Sequence, residues 1–267
     1  MEKRFLSPVE VSKFIISTSE VRANLTTLNS ILLAIMAGIY IGFGGFGYIL
    51  IGQTLGKIDI GLMKFLGASV FPVGLMLVVF TGSELFTGDT LMTMAVMDKK
   101  ISLLQMFRTW ILVYLGNLIG SVLLAFTINK SGMITEPVKE LIFNITNAKL
   151  SLSFGTAVIR GILCNILVVL GVWLALAGQD VASKIWGIWF PIMLFVLAGF
   201  EHSVANMFFL PLAKFAGLEF SWLSMWTNNI IPVTIGNIIS GGIIVPLVYY
   251  LAHIKPLREP VVESTNK

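Results

Sequence analysis

The sequence predicts an all-α integral membrane protein of six transmembrane helices in an inverted repeat, with the second and fifth helices broken. Three observations predict it. The 267-residue chain is 56% hydrophobic and only 12% charged, with a mean hydropathy of +0.90, whereas soluble domains carry about 25% charged residues. Its apolar residues gather in six regions, 28–51, 62–97, 106–128, 154–177, 185–215 and 230–252, and a helix needs about 20 mostly apolar residues to cross a bilayer. The two halves of the chain also repeat the same polar interruptions in the same order.

The elements follow in chain order. The opening "MEKRFLSPVEVSKFI" lacks the apolar core of a secretory signal. The stretch "LSPVEVSKFIISTSEVRANL" reads as a short amphipathic helix, with Ser7 as N-cap, Pro8 at the first helical position and Glu10 completing a capping box. Its expected place is the cytoplasmic interface or a neighbouring subunit. The chain then divides into an N-terminal helix (1–27), a first three-helix repeat (28–128), an outer loop (129–153), a second, inverted three-helix repeat (154–253) and a polar cytoplasmic tail (254–267). Within the outer loop, "EPVKELIFNI" suggests a surface helix.

Regions 62–97 and 185–215 are too long for one span. Each begins Phe-Pro and runs through apolar residues to Gly-x-Glu: Phe71 to Gly82 and Glu84, Phe190 to Gly199 and Glu201. Gly116-Asn117 in the third region has its counterpart in Gly236-Asn237 of the sixth, and the offsets between halves run from 117 to 120 residues. Three spans between copies turn the second copy upside down, the logic of many transport proteins. The segments "TGSELFTGD" and "GFEHS" are rich in turn and capping residues, so both long regions are expected to break there. A break frees backbone groups that lipid cannot satisfy, so it must face protein or a water-filled path. Glu84 and Glu201 are candidate caps of the freed N–H groups, with a pair between Glu201 and Lys149 the alternative for the second.

Polar residues at bilayer depth mark pathways by default, and "LAGFEHSVANMFFLP" places Glu201, His202 and Asn206 there. His202 is one of only two histidines. A haem subunit with His202 as axial ligand finds no second histidine at the same depth, since His253 ends the last span. No nucleophile stands beside a base, so no enzyme is expected, and no cofactor or metal is implied. Cys164 is the only cysteine, which excludes an intrachain disulfide. The pI of 9.2 comes from loop lysines and arginines and points to no nucleic-acid partner. With six spans, the side holding both termini carries eleven Lys and Arg against six on the other, Arg160 within the fourth span being left out. That bias puts both termini in the cytoplasm.

The stretches "GSELFTGD", "KLSLSFGTAVIRGILCNILVVLGVWLA", "GFEHSVANMF" and "NNIIPVTIGNIISGG" resemble the formate/nitrite transporter family over nearly the whole chain, most closely its hydrosulfide channel branch. The resemblance implies homopentamers of aquaporin-like protomers in a bacterial inner membrane. Each protomer would pass small monovalent weak-acid anions such as hydrosulfide, formate and nitrite through its own pore. It implies His202 as the central histidine, Thr87 as the threonine of the first break, Lys149 as the anion-attracting lysine of the outer loop and Asn237 as a polar partner of the histidine. Phe71, Leu75, Leu85, Phe86 and Phe195 would form apolar constrictions. The histidine would share a proton with the passing anion. The alternative is a neutral-solute channel of the aquaporin kind, although the paired Asn-Pro-Ala boxes are missing.

Overall fold

The structure, a computed structural model, describes residues 5–258; the expected tail from 259 on, and Lys3, Arg4 and Lys267 of the charge count, lie outside the described residues. The described residues are helical almost throughout, and their sole β contact is an isolated bridge between Phe5 and Gly178.

Each apolar region starts at a residue that can cap a helix. Thr26, Asp59, Ser102, Ser153, Asp180 and Ser221 are the N-caps, and each side chain accepts a hydrogen bond from a backbone N–H of the first turn. Such caps satisfy donors that the helix geometry leaves open. Helix α1 (Pro8–Ala23) is preceded by the expected capping box between Ser7 and Glu10. Its buried face, Val11, Ser12, Ile15, Ile16, Ser19 and Ala23, packs against its own chain, under the ends of several spanning helices. Its other face, with Lys13, Phe14, Ser17 and Val21, is exposed.

Helix α2 (Thr27–Leu55) is followed by α3 (Ile60–Val70), α4 (Val73–Thr81), the short α5 (Phe86–Asp89) and α6 (Thr93–Met97). Then come α7 (Leu103–Lys130), α8 (Glu136–Leu150), α9 (Phe154–Ala177), α10 (Val181–Leu197) and α11 (Ser203–Phe215). A last, continuous helix runs Trp222–Arg258. Among the described residues five helices are long and apolar enough to cross a membrane: Thr27–Leu55, Ile60–Thr81, Leu103–Lys130, Phe154–Ala177 and Trp222–Arg258. The remaining apolar region, 185–215, is divided between α10 and α11, which are 17 and 13 residues long. Helix α2 packs along α7, and α9 packs along the last helix.

The last helix widens to π-helical turns at Trp226–Ile230, Ile239–Ile244 and Tyr250–Ile254. Each widened turn ends two residues before a proline, Pro232, Pro246 or Pro256. A proline offers no N–H and its ring crowds the carbonyl four residues back, and a wider turn relieves that crowding. Helix α8 is the surface helix expected in the long loop. Val138, Ile142 and Thr146 are its buried residues, and this four-residue spacing carries Lys149, one turn later, toward the bundle interior.

Candidate functional site

Both long regions break, and they break alike. Helix α4 ends at Gly82 with φ 68°, α10 at Gly199 with φ 71°. At each, the next N–H reaches back five residues, Ser83 N to Val78 O and Phe200 N to Phe195 O, both at 3.0 Å. This is the bond of a left-handed glycine cap, which only glycine adopts without strain.

The groups freed at the breaks go to two asparagines. Asn117 Oδ1 accepts from Phe86 N at 2.9 Å, while its Nδ2 donates to Glu84 O at 2.9 Å and to Ala34 O at 2.8 Å. Asn237 Oδ1 accepts from Ser203 N at 3.0 Å, while its Nδ2 donates to Glu201 O at 3.1 Å and to Gly161 O at 2.8 Å. Both side chains are fully buried. Each carboxamide thus holds both sides of a break and ties it to α2 or α9. Asn237, expected as a polar partner of the histidine, bonds the residues on both sides of His202, and both its N–H donors are taken by carbonyls. Glu84 takes none of the freed backbone N–H groups it was expected to cap, and for Glu201 the alternative of a pair with Lys149 is the one the structure has.

Both glutamates instead pair with cations. Glu201 meets Lys149 Nζ with both oxygens at 3.1 Å and accepts from Asn206 Nδ2 at 2.6 Å and Asn229 Nδ2 at 3.3 Å. Lys149 Nζ also lies 5.6 Å from the centroid of the Phe209 ring. Glu84 lies 3.3 Å from Arg22 Nε, and Arg22 Nη1 donates to Asp89 at 2.8 Å. Arg22 sits on α1, so the N-terminal helix is pinned to the first break by charge. Sequence reasoning gave Arg22, Asp89 and Asn229 no role. Asp89 lay inside the quoted "TGSELFTGD", whereas nothing local marks Arg22, whose partner is 67 residues away.

His202 is the N-cap of α11. Its Nδ1 accepts from Ala205 N at 3.0 Å, and its Nε2 lies 2.9 Å from Thr87 Oγ1. An Nδ1 that accepts from an amide carries no proton, so the neutral ring carries its proton on Nε2 and donates it to Thr87. The Thr87 hydroxyl keeps its own proton to donate elsewhere. The imidazole stacks on Phe195, with centroids 5.8 Å apart and planes at 19°.

Three cavities lie in series around this pair. A vestibule of about 210 Å³ is lined by Lys149, Arg160, Glu201, Phe71, Phe195 and His202, among others. A small cavity of about 10 Å³ follows, walled by Phe71, Phe195, His202, Leu75, Leu85 and Ile41; about that much room admits one water molecule. A second vestibule of about 210 Å³ begins at Leu75 and Leu85 and is lined by Arg22 and Asp89. Phe71 and Phe195 meet edge to face at 5.6 Å between the first two. Of the residues expected at constrictions, Phe71, Leu75, Leu85 and Phe195 line this small cavity. Phe86 does not: its ring turns away to pack on Tyr114 at 4.8 Å and Trp110 at 6.1 Å.

The chain was compared with known proteins. The family model described as formate/nitrite transporter matches residues 9–251. A probable formate transporter of Methanothermobacter thermautotrophicus is 38% identical, covering 96% of this chain and all of its own. The formate channel FocA of Escherichia coli (strain K12) is 33% identical over 94% of this chain and 95% of its own. Among solved structures, an FNT family ion channel superposes with a TM-score of 0.85 at 29% identity, covering 91% of this chain and 98% of that one. A pentameric formate channel with formate bound gives 0.77 at 34% identity, covering 86% and 98%.

The Lys149–Glu201 pair yields a prediction. Its side chains are 15% and 4% exposed, and removing one partner of a buried pair leaves the other charge uncompensated, at a cost of about 3 kcal/mol. Lys149→Met should therefore lower thermal stability in detergent and reduce transport equally at every salt concentration. Adding Glu201→Gln to Lys149→Met should restore much of the stability. A loss confined to low salt, with stability unchanged, would contradict a structural pair.

Proposed function

The chain belongs to the formate/nitrite transporter family, a family of multi-pass membrane transporters rather than enzymes, and from that premise we propose that it is a pentameric channel for small monovalent weak-acid anions. Formate stands first, because the relatives carry that name, with nitrite and hydrosulfide beside it. The observation that carries this reading is the series of two vestibules and one small cavity around His202, which holds Thr87, within a single protomer. The pentamer rests on the pentameric formate channel. Residues 28–128 and 154–253 serve as the two repeats, joined by 129–153. The loop-charge bias supports a bacterial inner membrane with both termini in the cytoplasm, which makes the Lys149 vestibule the outer one.

The mechanism follows from the centre. Apolar side chains on both flanks exclude bulk water and strip the anion. The Thr87 hydroxyl then replaces part of the lost hydration, and the Nε2–H of His202 polarises that hydroxyl through their hydrogen bond. This relay is the proton share between histidine and anion. To pass on a whole proton, the ring must first gain a second one, and its open position is Nδ1, where the Ala205 amide now donates. Complete transfer is thus tied to loosening the first turn of α11. Nothing in the comparisons favours the neutral-solute alternative.

His202 has two separable roles, so two variants test it. Asparagine caps helices well, and losing such a cap costs about 1 kcal/mol. Formate flux into liposomes should fall at least tenfold, and lose its pH dependence, in both His202→Asn and His202→Leu. The leucine variant should also be less stable. Wild-type flux and pH profile in a folded His202→Leu pentamer would remove His202 from the pathway.

Selectivity gives the direct test of function. Desolvating a monovalent ion costs several kcal/mol even after relaxation, and the Born cost grows with the square of the charge. A dianion of similar size therefore faces about four times the penalty, which one threonine and one neutral histidine do not offset. In one liposome preparation, formate, nitrite and hydrosulfide should pass and sulfate should not. Sulfate flux comparable to formate, or the absence of formate flux, would overturn the proposal.

A further inference from the structure

We propose that Arg160, rather than Lys149, supplies the net positive charge that draws anions into the vestibule above His202. The inference rests on the anion-channel reading and deepens it. The titratable side chains in that vestibule's wall are Tyr48, Lys149, Arg160, Glu201 and His202. Lys149 is spent, because Glu201 grips it with both oxygens at 3.1 Å and the pair carries no net charge. The ring nitrogens of His202 are held by Ala205 and Thr87. The guanidinium of Arg160 has no hydrogen bond, ion pair or ring contact among the described residues.

Its position argues against an idle surface charge. Arg160 is six residues into α9, which begins at Phe154, about 9 Å along the helix at 1.5 Å per residue. Its side chain is exposed and lines the vestibule, so its charged end can stay hydrated there. The backbone of Arg160 is also part of the break: its carbonyl accepts from Glu201 N at 3.2 Å. The charge is thereby anchored one residue from His202 in the adjoining wall. An anion held by the guanidinium stands in the vestibule that leads to the Phe71–Phe195 constriction. Lys149 and Glu201 then form a neutral wall that keeps the break closed, and Arg160 sets the sign of the field.

The test measures initial formate flux in liposomes as a function of formate concentration, at low and high ionic strength. One unit charge about 4 Å away in water changes local anion concentration by about fivefold. Arg160→Gln should raise the half-saturating formate concentration about fivefold at low salt with the maximal rate unchanged. Arg160→Glu should raise it further, and Arg160→Lys should stay near wild type. The differences should close at about 0.5 M salt, where the screening length is only a few ångströms. An unchanged half-saturation in Arg160→Gln, or a loss of maximal rate that persists at high salt, would overturn the assignment while leaving a working wild-type channel. A wild-type protein that carries no formate would instead remove the anion-channel reading itself.

Discussion

Two buried carboxamides carry the design of this protein. A helix that stops inside a membrane exposes N–H and C=O groups that lipid cannot satisfy, and leaving one such group unpaired in the interior costs about 1–3 kcal/mol. Asn117 and Asn237 each satisfy one N–H and one C=O across a break, and add a bond to a second carbonyl on a neighbouring helix. A carboxamide suits this task because it presents donor and acceptor side by side. A carboxylate would face the two carbonyls with oxygens only. Because the breaks are held in this way, Thr87 sits in the first turn of one short helix, His202 caps another, and the two meet at 2.9 Å.

The buried charges work outward from these breaks. Glu84 and Glu201 occupy matching positions and both turn to a cation, Arg22 at one vestibule and Lys149 at the other. Each cation comes from a helix outside the long apolar regions, α1 or α8. These two ion pairs therefore dock the peripheral helices onto the ends of the path. They contribute geometry more than field, since a closely paired cation has little net effect at a distance.

Much of this was legible in the sequence, and the limit is physical. Helix starts were readable because caps are local: Ser7 and Glu10 sit three residues apart and bond as expected. The breaks were readable because glycine and capping residues cluster at Gly82–Glu84 and Gly199–Glu201 in both halves. The offset of 117 to 120 residues foretold the matching bonds, and Asn117 and Asn237 were recognised as mates. Which groups Asn117 and Asn237 bind was not legible, because those partners lie 31 and 34 residues away on other elements, and Glu84 pairs with Arg22 instead of capping. Local sequence offers the nearest polar side chain as a cap, while packing decides which one arrives. Phe86 was misplaced for a related reason: one residue of rotation in a short helix separates the cavity wall from the Trp110–Tyr114 cluster. The neutralisation of Lys149 was open as an alternative, and only the third dimension decided it.

The central claim is that Asn237 holds the second break and, through it, the histidine relay. It is tested most directly by the structure of Asn237→Leu determined in a lipid environment. The account predicts that the segment around Glu201–Ser203 rearranges to find new partners and that His202 Nε2 moves out of hydrogen-bond reach of Thr87 Oγ1. An unaltered break, with Nε2 still 2.9 Å from Thr87 Oγ1 as in the native chain, would contradict it.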